Sequence, residues 1–273
     1  MPDRTDVIYS YDGTFQGLMC CVFESFTKRE IPENIIAGEP EQLFFGEVRD
    51  IETNEAHAAR VERSIPEKMG RETEIFIRKA FLSCALDKDI LILRFMLMGY
   101  KYGSHALYML GNDTVLSLHK AVKSCAEEAH KLEGFIRFTD TGDALAAVIE
   151  PKNTVIPLLA QHFTDRYRND SFLIYDKTHR MALIYSNYTA EIAENIEFEL
   201  PEVNSEEEYY RSLWKTFYSA IAIRERFNPR CRMNMMPKRY WSHMVEMEEE
   251  LKGGSQFIDR KKAPALENKT EEE

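Results

Sequence analysis

The sequence contains no run of about eighteen apolar residues, the length that a membrane-crossing helix needs. It also has no two cysteines at C-x-x-C spacing. Its five cysteines, Cys20, Cys21, Cys84, Cys125 and Cys231, are an odd number, which argues against a disulfide framework, a zinc ribbon or an iron–sulfur site. The seven histidines are scattered and form no H-E-x-x-H pattern, G-x-G-x-x-G is missing, and no Ser-His-Asp or paired-carboxylate spacing emerges. These absences leave no indicated catalytic residue, metal ligand or cofactor. The opening MPDRTDVIYSYDG lacks a charged n-region followed by an apolar h-region, so a secretory signal is not expected and a cytoplasmic location is.

What is present is an ordinary globular composition: 273 residues, 44% hydrophobic and 30% charged, with a net charge of −11. The length suffices for one large or two small domains with a proper core. Asp6 to Tyr11 reads as a strand; DGT then turns into the helical FQGLMCCVFESFTKR, with Asp12 or Thr14 as N-cap. Residues 42–48 read as a second strand. From 53 to 132 the periodicity is helical, with EAHAARVERSI, PEKMGRETEIFIRKAFLSC and DKDILILRFMLMGYKYG preceding a helix from Asp113 to about Leu132. GFIRF (134–138) and ALAAVIEP then predict a hairpin, TVIPLLAQHFTDRYR a helix despite Pro157, and FLIYD with RMALIYS a second hairpin, followed by a strand IEFEL. The expected class is α+β. A single domain spans 1–251, comprising a helical subregion 53–132, a ββαββ antiparallel sheet region 133–200 that the N-terminal strands join, helices covering the sheet, and a basic helical pair 205–251. Residues 252–273 read as a disordered tail.

One stretch departs in charge from everything around it. Tyr209 to Trp241 carries Arg211, Lys215, Arg224, Arg226, Arg230, Arg232, Lys238 and Arg239 against the single anion Glu225, which makes it +7 and leaves −18 for the remaining 240 residues. Concentrated positive charge of this kind suits a polyanion. Ser205 and Glu208 form a capping box that starts a helix. On it Tyr210, Leu213, Trp214, Phe217 and Ile221 make one apolar stripe, and Arg211, Lys215 and Arg226 lie roughly 135° away. The helix should therefore dock on a core and turn its cations outward. Arg224, at the edge of the stripe, reads as structural. Asn228-Pro229 should end this helix, and Pro237 should open another.

The ordered series HKLEGFIRF (130–138), IEP (149–151), HFTDRY (162–167), LWKTFY (213–218), RFNPR (226–230) and MPKRYW (236–241), preceded by DGTFQGLMCCVFESF, resembles a bacterial family described as proteins of DNA metabolism or DNA repair. The likeness covers roughly residues 5 to 250. The C-terminal part of that family is a domain of unknown function, also found N-terminal to the glycosylase domain of X-type uracil-DNA-binding proteins. Its members are encoded beside a radical-SAM protein of DNA modification or repair. The resemblance implies DNA and a radical-SAM protein as partners; no membrane is expected, because the chain has no apolar run long enough to cross one. It does not supply a reaction. The chain is expected to hold no glycosylase domain after MPKRYW and has no C-x-x-x-C-x-x-C set of its own; the faint glycosylase echo at residues 38–42 lacks the cysteine ligands and is read as chance.

The leading expectation is a DNA-binding accessory protein. Lys215, Arg230, Arg232, Lys238 and Arg239 would grip phosphates, with Trp214, Tyr240 and Trp241 supplying stacking or holding those cations. Arg137, read as a mid-strand cation, and Arg166, one turn from His162, would add contacts. Two alternatives stay open. One is a glycosylase- or nuclease-like enzyme using His130, His162 or an acidic residue; the other is a protein-interaction subunit that does not touch DNA.

Overall fold

The computed structural model describes residues 3–38, 47–200 and 205–252. Within them the chain is mixed α and β and divides into two compact units, residues 1–128 with 152–154, and residues 129–151 with 155–273. The division falls inside one long helix. Most of the expected second strand and the expected tail lie outside the described residues.

The first unit is built on β2 (Ile8–Tyr11), all four of whose residues are buried. After β1 (Asp3–Arg4), β2 runs into α1 (Phe15–Lys28); β3 (Glu30–Ile31) pairs with β1, and β4 (Asn34–Ala37) and β5 (Val48–Asp50) flank β2, both parallel to it. A parallel neighbour needs a long crossover, and α1 supplies it between β2 and β4. The cap is Thr14, whose hydroxyl accepts from Gly17 N at 2.9 Å. Asp12 braces it, accepting from Thr14 N at 2.9 Å, Thr14 Oγ1 at 2.7 Å and Thr53 Oγ1 at 2.7 Å. Burial pushes the Asp12 pKa up, but the hydrogen bonds from Thr53 and Thr14 outweigh it and hold the carboxyl below its ordinary value.

Four helices complete this unit: α2 (Glu55–Met69), α3 (Arg71–Phe81), α4 (Lys88–Tyr102) and the first part of α5 (Asp113–Phe135). The sequence places a break at Pro66. The helix instead continues through it to Gly70, whose φ of +86° makes the break between α2 and α3. Ile65, Ile77, Leu93, Phe95 and Leu118 are among the residues of the core. Asp89 lies buried at the start of α4; desolvation raises its pKa, and Lys88 and Tyr11 only partly counter this.

The second unit holds a five-stranded sheet in the order β10-β9-β8-β7-β6. Its strands are β6 (Thr139–Asp140), β7 (Leu145–Ile149), β8 (Phe172–Asp176), β9 (Met181–Ser186) and β10 (Thr189–Glu194), with α6 (Ile156–Arg166) between β7 and β8. The pairing is mostly antiparallel. The exception is β7 with β8, parallel and joined through α6. Two local expectations fail. GFIRF forms no strand, because α5 continues to Phe135 and Leu132 O accepts from Ile136 N at 3.0 Å, so helical rather than alternating periodicity governs it. Neither does IEFEL; the last strand is TAEIAE, reached through Asn187 and Tyr188 at φ of 50° and 62°, the backbone of a two-residue hairpin turn.

Two outcomes test this description. A Cβ at Gly17 would sit 2.2 Å from Asp12 Oδ1 and 2.8 Å from the Tyr11 ring, so Gly17→Ala should cost about 1–3 kcal/mol in chemical denaturation. Because the folded-state pKa of Asp89 is raised, ionisation favours the unfolded chain, and stability is lost as pH rises through the unfolded value toward the folded one. Asp89→Asn should therefore gain stability relative to the parent chain as pH rises above about 4, read from denaturation midpoints across a pH series.

Candidate functional site

In the second unit β10 is followed by α7 (Ser205–Ile221), a 3-10 turn at Arg224–Arg226, α8 (Pro229–Met235), a 3-10 turn at Lys238–His243, another at Val245–Met247, and α9 (Glu248–Leu251). The first helix stops well before Asn228-Pro229. Those residues open α8 instead: the Asn228 side chain accepts from Cys231 N at 3.1 Å, and Pro229 occupies the first turn, where its missing N–H costs nothing. Pro237 precedes a 3-10 turn rather than an α-helix.

The polarity of α7 is the reverse of its expectation. No residue of the helix is fully buried, and Tyr210, Phe217 and Ile221 of the apolar stripe are more than half exposed. Its cations are the tethered groups. Arg211 Nε donates to Glu207 Oε1 at 2.8 Å and its Nη2 to Thr139 Oγ1 at 2.7 Å, fastening α7 to β6. Lys215 Nζ lies 2.9 Å from Glu248 Oε2. The space that the stripe would fill is taken by Met236, Tyr240, Trp241, Met244 and Met247, which are buried against the sheet together with Phe163 and Phe172.

Three carboxylates two residues apart, Glu246, Glu248 and Glu250, meet three of the sequence-predicted cations. Arg137 Nη2 donates to Glu246 Oε1 at 2.9 Å, Lys215 pairs with Glu248, and Arg232 Nη2 donates to Glu250 Oε2. Arg137 is thus not a mid-strand cation. It follows the last turn of α5, donates also to Gly134 O and Ile136 O at 3.2 and 3.3 Å, and lies 5.1 Å from the Trp214 ring. Arg232 sits between the Phe227 and Trp241 rings, at 5.2 and 4.9 Å. Burial lowers the Arg232 pKa, but the Glu250 carboxylate and the Tyr218 hydroxyl more than offset it and hold the guanidinium above its ordinary value. Sequence reading missed these partners although the signal is adjacent: Glu246 and Glu248 to Glu250 bring the charge of 209–250 down to +3.

Arg230, Lys238 and Arg239 are exposed, and so are Arg166 and Arg226. Lys238 lies 5.6 Å from the Trp241 ring and Arg239 4.5 Å from that of Tyr240, both rings being buried. Trp241 is fixed from below by its indole N–H, which donates to Met236 O at 3.1 Å. Tyr240 and Trp241 are thus buried rings with a cation beside each. Arg166 lies 5.9 Å from the Tyr167 ring, while Phe163 packs in the core.

Three of the histidines form separate pairs with carboxylates. His130 Nδ1 meets Glu133 Oε2 at 3.1 Å on the exposed face of α5. His179 Nδ1 meets the fully buried Asp176 at 2.6 Å, which ties the β8–β9 hairpin. His243 Nε2 lies 3.4 Å from Glu150 Oε1, beside a cavity of about 20 Å³, with Tyr240 and Met244 in its lining. That volume accommodates about one water molecule. His162 packs edge-on to Phe163 at 5.0 Å. Among the described residues no group of three His, Cys, Asp or Glu could hold a metal ion, and no helix is long and apolar enough to cross a membrane.

A family model described as a domain of unknown function, DUF4130, matches residues 87–246. No curated protein matches the sequence. Because Glu246 is buried and Arg137 is not, truncating the acid strands a guanidinium rather than a carboxylate. Glu246→Ala should destabilise the second unit by about 1.5–3 kcal/mol, the range for a hydrogen bond to a charged group, read as a lower urea midpoint.

Proposed function

We propose, for a chain that belongs to the DUF4130 family, an accessory role in DNA repair or base modification, in which it binds DNA through the cations of its C-terminal element and works with a radical-SAM enzyme. One observation carries the reading: in a chain of net charge −11, Arg230, Lys238 and Arg239 stand exposed on consecutive elements, two of them held over buried aromatic rings. Cations whose stems are ordered by packing lose less entropy when a phosphate arrives. The motif series shared with the DNA-repair family supports DNA as the polyanion, and the radical-SAM partner rests on that same resemblance.

The geometry divides the five phosphate-gripping candidates into two sets. Arg230, Lys238 and Arg239 are exposed; Lys215 and Arg232 are paired with Glu248 and Glu250. The first set grips phosphates, and the second joins only when the carboxylates are displaced. The enzymatic alternative finds less support. The His243–Glu150 pair lies closest to the basic element, and its cavity is too small for a nucleobase.

The division sets the salt dependence. Three phosphate contacts should give a slope of log affinity against log salt of about −2.7 on duplex DNA, measured by fluorescence anisotropy over a salt series. Glu248→Gln with Glu250→Gln should release Lys215 and Arg232, steepen the slope to about −4.5 and tighten binding. Lys238→Glu with Arg239→Glu should abolish it. A slope near zero for the parent chain would overturn the reading.

A further inference from the structure

The second unit contains an open groove of about 720 Å³ that the cation reading leaves unused. Its lips are the exposed Ile221 (59%), Ile223 (50%), Phe227 (40%) and Met235 (63%). Apolar side chains exposed together, rather than singly, mark a surface that another molecule covers. Methionine contributes heavily to the walls, and its flexible thioether adapts to varied apolar partners.

From this groove we propose a docking site for an amphipathic helix of a partner protein, one whose apolar ridge is flanked by acidic residues. Three features select that occupant. The lining comes from α7, the segment joining it to α8, α8 itself, Met236, Met244, the 3-10 turn at Val245–Met247 and the end of α5, so no strand edge is available for β-addition and a helical ridge is the shape that fits. The charges inside the groove are already compensated, Arg137 by Glu246 and Arg232 by Glu250. The charge left over is positive: Arg226 is exposed and lines the groove, Arg230 is exposed on α8 next to Cys231 in the wall, and the nearby Glu225 does not line it. An apolar ridge with acidic flanks satisfies the wall and the rim together. A nucleic acid satisfies only the rim, since it would set phosphates against an apolar surface. This inference shares only Arg230 with the DNA reading, since Lys238 and Arg239 do not line the groove.

The cysteines provide the assay. Cys231 is exposed in the groove wall, and Cys84, exposed in the other unit, serves as internal reference. The full chain is alkylated with iodoacetamide in the presence of a synthetic Leu/Glu amphipathic helical peptide, its Leu/Lys counterpart, or a single-stranded oligonucleotide. At about ten times its dissociation constant the Leu/Glu peptide should slow Cys231 modification about tenfold by occupancy and leave Cys84 unchanged. Ile223→Asp, at a half-exposed position that a folded chain tolerates, should abolish the protection and leave oligonucleotide binding intact. Lys238→Glu with Arg239→Glu should do the opposite. Absence of protection by the Leu/Glu peptide, equal protection by the Leu/Lys peptide, or equal protection by the oligonucleotide would each overturn the proposal, and none of them bears on the salt-dependence test of DNA binding.

Discussion

Three carboxylates spaced two residues apart, Glu246, Glu248 and Glu250, neutralise Arg137, Lys215 and Arg232, and the C-terminal half of the second unit is arranged by those pairs. Each ties a different element, the end of α5, α7 and α8, to residues 246–250. Glu246 is buried, so its pair is little screened by solvent, and it fixes the register of that segment. With the segment in place, Tyr240, Trp241, Met244 and Met247 fill the space over the sheet, and the apolar stripe of α7 is left at the surface.

This arrangement separates two kinds of surface within one basic element. Lys238 and Arg239 extend from buried rings into solvent, where long-range attraction to a polyanion is effective. The groove beside α7 and α8 is apolar, with its inner charges already paired. A polyanion at Lys238 and Arg239 and a helix in the groove would have only Arg230 in common.

Legibility in the sequence followed the length of each signal. The helices α1, α4, α5 and α6 and the β8–β9 hairpin were readable because hydrophobic period and turn residues agree over many positions. Short stretches were not. GFIRF has the composition of a strand, yet its first two residues end a long helix and the next three belong to no strand. TAEIAE was passed over because an edge strand with both faces largely exposed has no apolar alternation to read. The parallel pairing of β7 with β8 has no local signature, since it depends on where α6 returns the chain.

The sequence by itself determined the class of the fold, the concentration of positive charge between Tyr209 and Trp241, and the family to which the chain belongs. Tertiary structure decided which of those charges remain available. Periodicity assigns a residue to a face of its own helix, whereas neutralisation depends on what another segment brings within about 4 Å, where Coulomb attraction outweighs screening. Lys215 and Arg230 look alike in the sequence. Glu248, thirty-three residues after Lys215, makes one a strut, and Arg230 remains at the surface.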